Sequence, residues 1–209
     1  MSSHLFAKGA MAPIEDTPPP VNQEEANWRK IIREHGGVVA DPENYNFSRD
    51  GFSLYLEDSG LSLYDGDDLI APHNSSAARG CGYQHLLPQK NFWSRGAALA
   101  LWAQASQRAT GVKRPYLRNW YRPTCYNSRV GGASGSDHID ARGIDLDYRS
   151  SSERRRVQKW LCQYYASNLN MQIGLGYQAI HLGAHSPKGK RNWFYGSYSD
   201  GDRGRTCFD

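Results

Sequence analysis

The stretch of residues 119–148 constrains the fold of this chain more than any other. It passes from an aromatic run through a loop rich in Gly and Ser into the alternating segment Gly-Ile-Asp-Leu-Asp-Tyr. Side chains alternate between the two faces of a β-strand, so Asp145 and Asp147 share one face while Ile144 and Leu146 share the other. A carboxylate in an apolar strand needs a partner, because an unpaired buried charge is costly, and a metal ion or an arginine can supply one.

Two histidines are candidates to complete a metal site with Asp145. His138 lies in the Gly/Ser-rich loop just before the predicted strand, and His181 ends a second short strand downstream. Two imidazoles and one carboxylate are a ligand set that catalytic zinc uses, with the fourth position left open for water. The residues alone leave two other interpretations open. His181 can be a structural histidine within a strand, and Asp145 can pair with the nearby Arg142.

The order and spacing of further residues around these three resembles a known enzyme family. The pattern is similar to that of the zinc D-Ala-D-Ala carboxypeptidases and L-alanyl-D-glutamate endopeptidases, which are peptidoglycan peptidases with the Hedgehog-type fold. The resemblance covers residues 88–193, roughly half of the chain. The matching elements are Tyr121-Arg122, Asn127, Gly131-Gly132-Ala133, Ser136-Asp137-His138, Asp145, Gly174-Leu175-Gly176, His181 and Arg191-Asn192-Trp193.

The resemblance implies a role for several of these residues. The implied zinc ligands are His138, Asp145 and His181. Arg122 corresponds to the substrate-binding arginine of the family, with Tyr121 beside it, and Ser136 is expected to brace the loop that carries the first histidine. The implied reaction is hydrolysis of peptide bonds in the stem peptides or crosslinks of bacterial peptidoglycan by a metal-activated water.

The chain departs from the family pattern at the general base. Many members carry Glu or Asp three residues before the third ligand, where this chain has Gln178, and others carry Asp two residues after it, where this chain has Gly183. Gln178 occupies the catalytic position but cannot take up a proton at neutral pH. The candidate substitutes are His185, Asp147 and Asp140. His185 is favoured because the ordinary pKa of histidine lies near neutrality, and it is also an alternative third ligand, with His181 then acting as the base.

The predicted fold class is α+β, with a small antiparallel sheet, flanking helices and the zinc in a cleft across the sheet. Residues 1–22 are predicted to form an extended Pro-rich arm, residues 23–84 a helix and hairpin extension, and residues 85–209 the zinc peptidase domain. Local patterns predict helices at residues 24–35, 93–108 and 151–167. They predict strands at residues 116–121, 143–148, 171–175 and 177–182, and a hairpin over residues 52–63.

Composition restricts the partners. The net charge is only +4 and the basic residues are scattered, so binding to nucleic acid is not expected. No stretch approaches the roughly 20 apolar residues of a membrane span, and the N-terminus has no signal-peptide pattern. An enzyme of this kind would reach the wall as a phage lysin or as part of a virus particle. The Pro-rich arm then suggests an alternative function, a virion structural or wall-binding subunit with weak or no activity, held to other virion or tail proteins through the arm.

The four cysteines leave the redox compartment open. Cys81 can pair with Cys125 or with Cys207, and the sequence does not decide between them. Cys162 lies in the apolar stripe of a predicted helix, where a small buried hydrophobic residue is expected.

Overall fold

The computed structural model of the chain describes residues 22–166 and 170–195, so the predicted arm lies outside the described residues apart from Asn22. The described residues form seven α-helices, two short 3₁₀ turns and five strands. The helices are α1 Gln23–Glu34, α2 Arg49–Asp58, α3 Gly66–Ile70, α4 Ser75–Arg79, α5 Trp93–Thr110, α6 Thr124–Arg129 and α7 Ser151–Ala166. The strands are β1 Tyr116–Asn119, β2 Gly143–Asp147, β3 Gln172–Leu175, β4 Ala179–Gly183 and β5 Arg191–Phe194. The class is therefore α+β, as predicted.

The sheet has the strand order β1-β2-β4-β3-β5 and is mixed rather than antiparallel. The pairs β1–β2, β2–β4 and β3–β4 are antiparallel, whereas β3 and β5 are parallel. The prediction of an antiparallel sheet is wrong for this last pair. After β4 the chain crosses to the outer edge of β3. There β5 runs in the direction opposite to β4, as β3 does, so β3 and β5 are parallel.

One face of the sheet covers the hydrophobic core. Ile144, Ile173 and Ile180 point to this face and are fully buried. Helix α5 packs against β2, α7 packs against β4, and α1 packs against α5. Because α5 is enclosed by these neighbours, almost its whole circumference is buried, which explains its small Ala-rich side chains. The core extends without interruption from Trp28 in α1 to the sheet.

The first helix begins and ends where the sequence indicates. The Asn22 side chain accepts a hydrogen bond from the backbone N–H of Glu25, which caps α1, and the chain leaves the helix through Gly36 in a left-handed conformation.

The hairpin predicted for residues 52–63 is wrong, because the first part of this stretch is helix α2. The Ser48 side chain caps this helix by accepting from the backbone N–H of Gly51. Phe52, Tyr55 and Leu56 are buried at helical spacing, whereas Leu54, which an alternating strand would place beside Phe52, is exposed.

The cysteines of the described residues are all in disulfides, and one of these bonds joins two short helices. Cys81 is bonded to Cys125, with the Cα atoms 6.0 Å apart, so the end of α4 is joined to the start of α6. Cys162 is also disulfide-bonded, and its prediction as a small buried hydrophobic residue is therefore wrong. All three cysteines among the described residues are thus oxidised. Among the described helices, none has the length and apolar character that crossing a membrane requires.

Candidate metal centre

Strand register places two of the predicted metal ligands side by side. Asp145 on β2 is paired with His181 on β4, and Gly174 on β3 and Trp193 on β5 continue the same row across the sheet. Paired residues of neighbouring strands point to the same face, which here is the face opposite the core. As a result, His181 Nδ1 lies 2.8 Å from Asp145 Oδ1.

The third predicted ligand comes from the loop between α6 and β2. His138 is buried, and its Nδ1 lies 2.6 Å from the carbonyl oxygen of Trp120, to which it donates. This bond sets the proton on Nδ1 and turns Nε2 toward Asp145 Oδ2 at 3.1 Å. The ligand atoms of His138, Asp145 and His181 all lie within 4.8 Å of one another, so this group can hold a metal ion.

The donor set and its surroundings fit a divalent cation. The Nε2 atoms of His138 and His181 are buried without a hydrogen-bond partner, and buried imidazole nitrogens are normally satisfied. Histidines that ligate metals commonly donate their other ring N–H to a backbone carbonyl, as His138 does to Trp120, and this bond fixes the orientation of the ring. Two nitrogens and a carboxylate oxygen suit zinc among the common metals.

The protonation states also suit metal binding. Burial lowers the pKa of the His138 imidazole, although Asp145 opposes this effect, so the ring is neutral at neutral pH. Burial alone raises the pKa of the Asp145 carboxyl, but the two neighbouring histidines hold it well below its usual range. A neutral imidazole and an ionised carboxylate are the forms that ligate metals, so no proton must leave His138 or Asp145.

Glycines make room for the His181 ring. A Cβ at Gly143 would lie 2.4 Å from His181 Cε1, and a Cβ at Gly174 would lie 2.6 Å from Cε2 of Trp193. The indole of Trp193 therefore lies over the bare backbone of β3, with its ring centroid 5.1 Å from that of His181. The ring is consequently held between β2 and an aromatic wall.

The metal group lies in an open cavity of about 630 Å³, called the metal cavity below. Its lining residues are Arg118, Arg122, Gly131, Ala133, Gly135, Ser136, Asp137, His138, Asp145, Asp147, Ala179, His181, Lys188, Arg191, Trp193 and Tyr195. Arg122 reaches within 3.8 Å of Asp145 Oδ2 and within 3.5 Å of Ser136 Oγ. Arg122, the predicted substrate-binding arginine, and Ser136, predicted to brace the histidine loop, therefore line the cavity, whereas Tyr121 packs against Phe92 and does not line it.

The candidate bases are placed differently from one another. Asp147 lines the metal cavity, but its Oδ2 accepts two hydrogen bonds from Arg118, at 2.8 and 2.5 Å. His185 packs edge-on against Trp28 of α1 and is not among the lining residues. Gln178 is exposed in the β3–β4 turn, where it donates to a backbone carbonyl at 3.3 Å, and it does not line the metal cavity either.

Asp140, the remaining candidate, is exposed and does not line the metal cavity.

Sequence reasoning missed part of the cavity wall. Asp137 is buried and accepts hydrogen bonds from Ser186 Oγ at 2.8 Å and from Arg191 at 2.6 Å. These bonds tie the loop of the first metal ligand to β5. Two sequence features could have indicated these residues: Asp137 lies inside the Ser136-Asp137-His138 motif, and Arg191 begins the Arg-x-Trp element. For Arg118 the indication was weaker, namely a charged side chain within a short predicted strand.

Neither a scan of the chain against protein-family models nor a search of curated proteins gives a match. What the site can do must therefore be argued from its geometry and its donor atoms.

Proposed function

We propose that this protein is a zinc-dependent peptidase that hydrolyses peptide bonds in the stem peptides or crosslinks of bacterial peptidoglycan. The observation that carries the proposal is the convergence of His138, Asp145 and His181 in the lining of an open cavity. The resemblance of residues 88–193 to the zinc peptidoglycan peptidases supplies the substrate class, and the geometry supplies the ligand set.

The residues of the cavity suit this chemistry. When bound, zinc supplies Lewis-acid activation of a carbonyl and of a water molecule. Arg122 stands beside the ligands, where its planar guanidinium can hold a substrate carboxylate or a developing oxyanion. Lys188 also lines the cavity, whereas Arg118 and Arg191 are paired with carboxylates, so Arg122 and Lys188 favour the carboxylate-rich peptides of the wall.

Proton transfer is the part of the mechanism for which the cavity offers the fewest groups. Of the candidate bases, Asp147 is the one that lines the cavity, and it shares a strand face with the ligand Asp145. Two residues along a strand place the two Cα atoms about 7 Å apart, on the sheet face that carries the metal group. We assign the base role to Asp147, which must take up a proton while paired with Arg118.

Oxidised cysteines support a place of action outside a reducing cytosol. Cys81, Cys125 and Cys162 are all disulfide-bonded, and such bonds persist mainly in oxidising environments. This agrees with an enzyme that acts on the cell wall as a phage lysin or as a virion component.

The test combines metal content with turnover. Purified protein should contain about one zinc per chain, and it should release amino groups from purified peptidoglycan. His138→Ala should lose both properties, because it removes one of three protein ligands. The matched control is His85→Ala, which removes an exposed histidine outside the metal group. Wild-type protein without zinc, or a His138→Ala variant that cuts the wall as fast as wild type, would reject the proposal.

A second candidate function is a virion structural or wall-binding subunit that keeps the peptidase architecture with weak or no activity. The favouring observation is that both non-ligand carboxylates in the described cavity lining are ion-paired, Asp137 with Arg191 and Asp147 with Arg118. In that case the protein binds zinc and wall fragments without cutting them. Zinc-loaded protein that leaves purified peptidoglycan intact would favour this candidate.

A further inference from the structure

The metal cavity adjoins a smaller hollow, called the tyrosine lobe below. The lobe has a volume of about 310 Å³. It is lined by Arg118, Asp147, Gly176, Tyr177, Gln178, Ala179 and Tyr195. Four of these residues, Arg118, Asp147, Ala179 and Tyr195, also line the metal cavity, so the two hollows lie side by side. The volume is at the lower end of the roughly 300–1,000 Å³ typical of small-molecule sites, which suits a single ring.

Two aromatic rings are presented to solvent in this lobe. Tyr177 is 54% exposed and Tyr195 is 36% exposed, although both are large side chains that can be buried. A Cβ at Gly176 would lie 3.0 Å from Tyr195 Cε2, so the bare backbone of the turn lets this ring lie close against it. Exposed tyrosines in a concave site offer an apolar face together with a polar tip.

The polar groups of the lobe suit a neutral, hydroxyl-rich ligand. Its charged groups are Arg118 and Asp147, which compensate one another. Arg118 donates to Asp147 Oδ2 through Nε and Nη2, so its Nη1 can donate to a ligand hydroxyl. The amide of Gln178 adds a donor and an acceptor at the rim. In contrast, Arg122 and Lys188 make the rest of the metal cavity cationic.

These features match the two surfaces of a sugar ring. The C–H face of a pyranose is apolar and packs against aromatic rings, and the hydroxyl and amide groups at its edge bond to carboxylate, guanidinium and amide groups. We propose that the tyrosine lobe binds one neutral N-acetylated sugar of the peptidoglycan glycan strand. The choice of this polymer rests on the proposed function, whereas the preference for a neutral sugar ring rests on the lobe itself.

The geometry of strand β2 gives the distance between the two sites. Asp145 belongs to the metal group and Asp147 to the lobe, and two residues along β2 separate them by about 7 Å. A sugar in the lobe therefore lies close to the metal group, about the reach of one or two residues of a stem peptide. The preferred substrate should accordingly be a stem peptide that still carries its sugar.

The experiment compares two substrates and one binding probe. The substrates are a free stem peptide and the same peptide attached to its N-acetylglucosaminyl-N-acetylmuramyl disaccharide. Wild type should show a kcat/KM about tenfold higher for the sugar-bearing substrate, the size of a well-formed aromatic contact. Tyr177→Ala should bring this ratio close to one, and Tyr177→Phe, which keeps the ring, should retain it. Phe47→Ala is the matched control, because Phe47 is 60% exposed and lines neither the lobe nor the metal cavity.

Binding is measured separately on metal-free protein with chitotetraose, a peptide-free oligomer of N-acetylglucosamine. Wild type and Phe47→Ala should bind it, and Tyr177→Ala should bind it at least fivefold more weakly, roughly the loss of one stacked ring. Cleavage of the free peptide with no gain from the sugar would overturn the lobe assignment and leave the proposed function standing. Chitotetraose binding that depends on Tyr177, in a protein that cuts neither substrate, would support the lobe and count against the peptidase. Equal losses in Tyr177→Ala and Phe47→Ala would also overturn the lobe assignment.

Discussion

Replacing Gly174 by alanine should weaken metal binding without any change to a metal ligand. Gly174 lies between His181 and Trp193 in the row of paired residues, and the strands on both sides hold its backbone in register. An alanine Cβ would stand 2.6 Å from Trp193 Cε2, about 0.8 Å inside the 3.4 Å at which ordinary van der Waals contact begins. Because β3 is paired on both edges, the half-buried indole must move rather than the backbone.

The displaced indole would no longer pack against the His181 ring at its present centroid distance of 5.1 Å. Groups that orient a metal ligand in this way typically change metal affinity by about 10- to 100-fold when they are lost. Gly174→Ala should therefore raise the zinc Kd by about 10- to 100-fold, which corresponds to about 1.4–2.7 kcal/mol. Competition with a chromophoric chelator measures this Kd, and thermal unfolding of the zinc-free protein separates it from a loss of folding.

A double-mutant cycle tests whether the effect acts through the indole. In a Trp193→Ala background the added methyl group has nothing to displace, so Gly174→Ala should cost little more than Trp193→Ala alone. Gly80→Ala is the matched control, because the close contact of its Cβ is with the flexible end of Arg129, outside the metal cavity, and the carbonyl oxygen of Ala77 is at an ordinary 3.5 Å. A zinc Kd within twofold of wild type for Gly174→Ala, or additive losses in the double variant, would refute this reasoning.

Three further predictions concern stability and substrate binding. Replacing Cys81 and Cys125 by serine should lower the free energy of unfolding by about 4 kcal/mol, the loop-closure entropy for a sequence separation of 44, as measured by urea unfolding. Burial against Trp102 lowers the pKa of His35 to about 4, so the unfolded chain binds more protons below pH 6.5. The contribution of His35 to the free energy of unfolding should fall by about 2 kcal/mol between pH 7 and pH 5, and His35→Gln should remove that pH dependence. Arg122→Lys should lower kcat/KM at least tenfold, in steady-state kinetics, with unchanged zinc affinity, since the charge remains but the planar fork is lost.

Each of these three has a result that would contradict it. A serine double variant within 1 kcal/mol of wild type would mean that the denatured chain is already restricted near this loop. Identical pH slopes for wild type and His35→Gln would assign the acid sensitivity to other groups. An Arg122→Lys enzyme with normal kcat/KM would show that charge, rather than bidentate geometry, is what the substrate requires.

The sequence predicted the elements that carry a strong local period. Helix α1 was predictable because Asn22 caps it and Trp28, Ile31 and Ile32 recur at helical spacing. Strand β2 was predictable because its two acidic residues alternate with two apolar ones that face the core. The three candidate metal ligands were indicated by the order and spacing of residues that resemble the zinc peptidases, and the strand register places Asp145 and His181 together.

Local pattern failed where distant contacts decide the structure. In residues 52–56 the alternation of Phe, Leu and Leu fits a strand, but burial of Tyr55 against Trp93 and the Ser48 cap favour the helix. Strand β5 has only four residues, with both charged and aromatic side chains, and it forms because β3 offers a free edge. The oxidised state of Cys162 depends on a partner that no local period can indicate.

The two candidate functions share the metal centre, so zinc content alone does not separate them. His138, Asp145 and His181 are arranged to bind a cation whether or not the protein turns over. The two functions differ in whether a group accepts a proton during peptide hydrolysis. Each non-ligand carboxylate of the described lining already has an arginine partner. Turnover on a defined peptide by zinc-loaded protein therefore distinguishes the functions, because it requires proton transfer and metal binding does not.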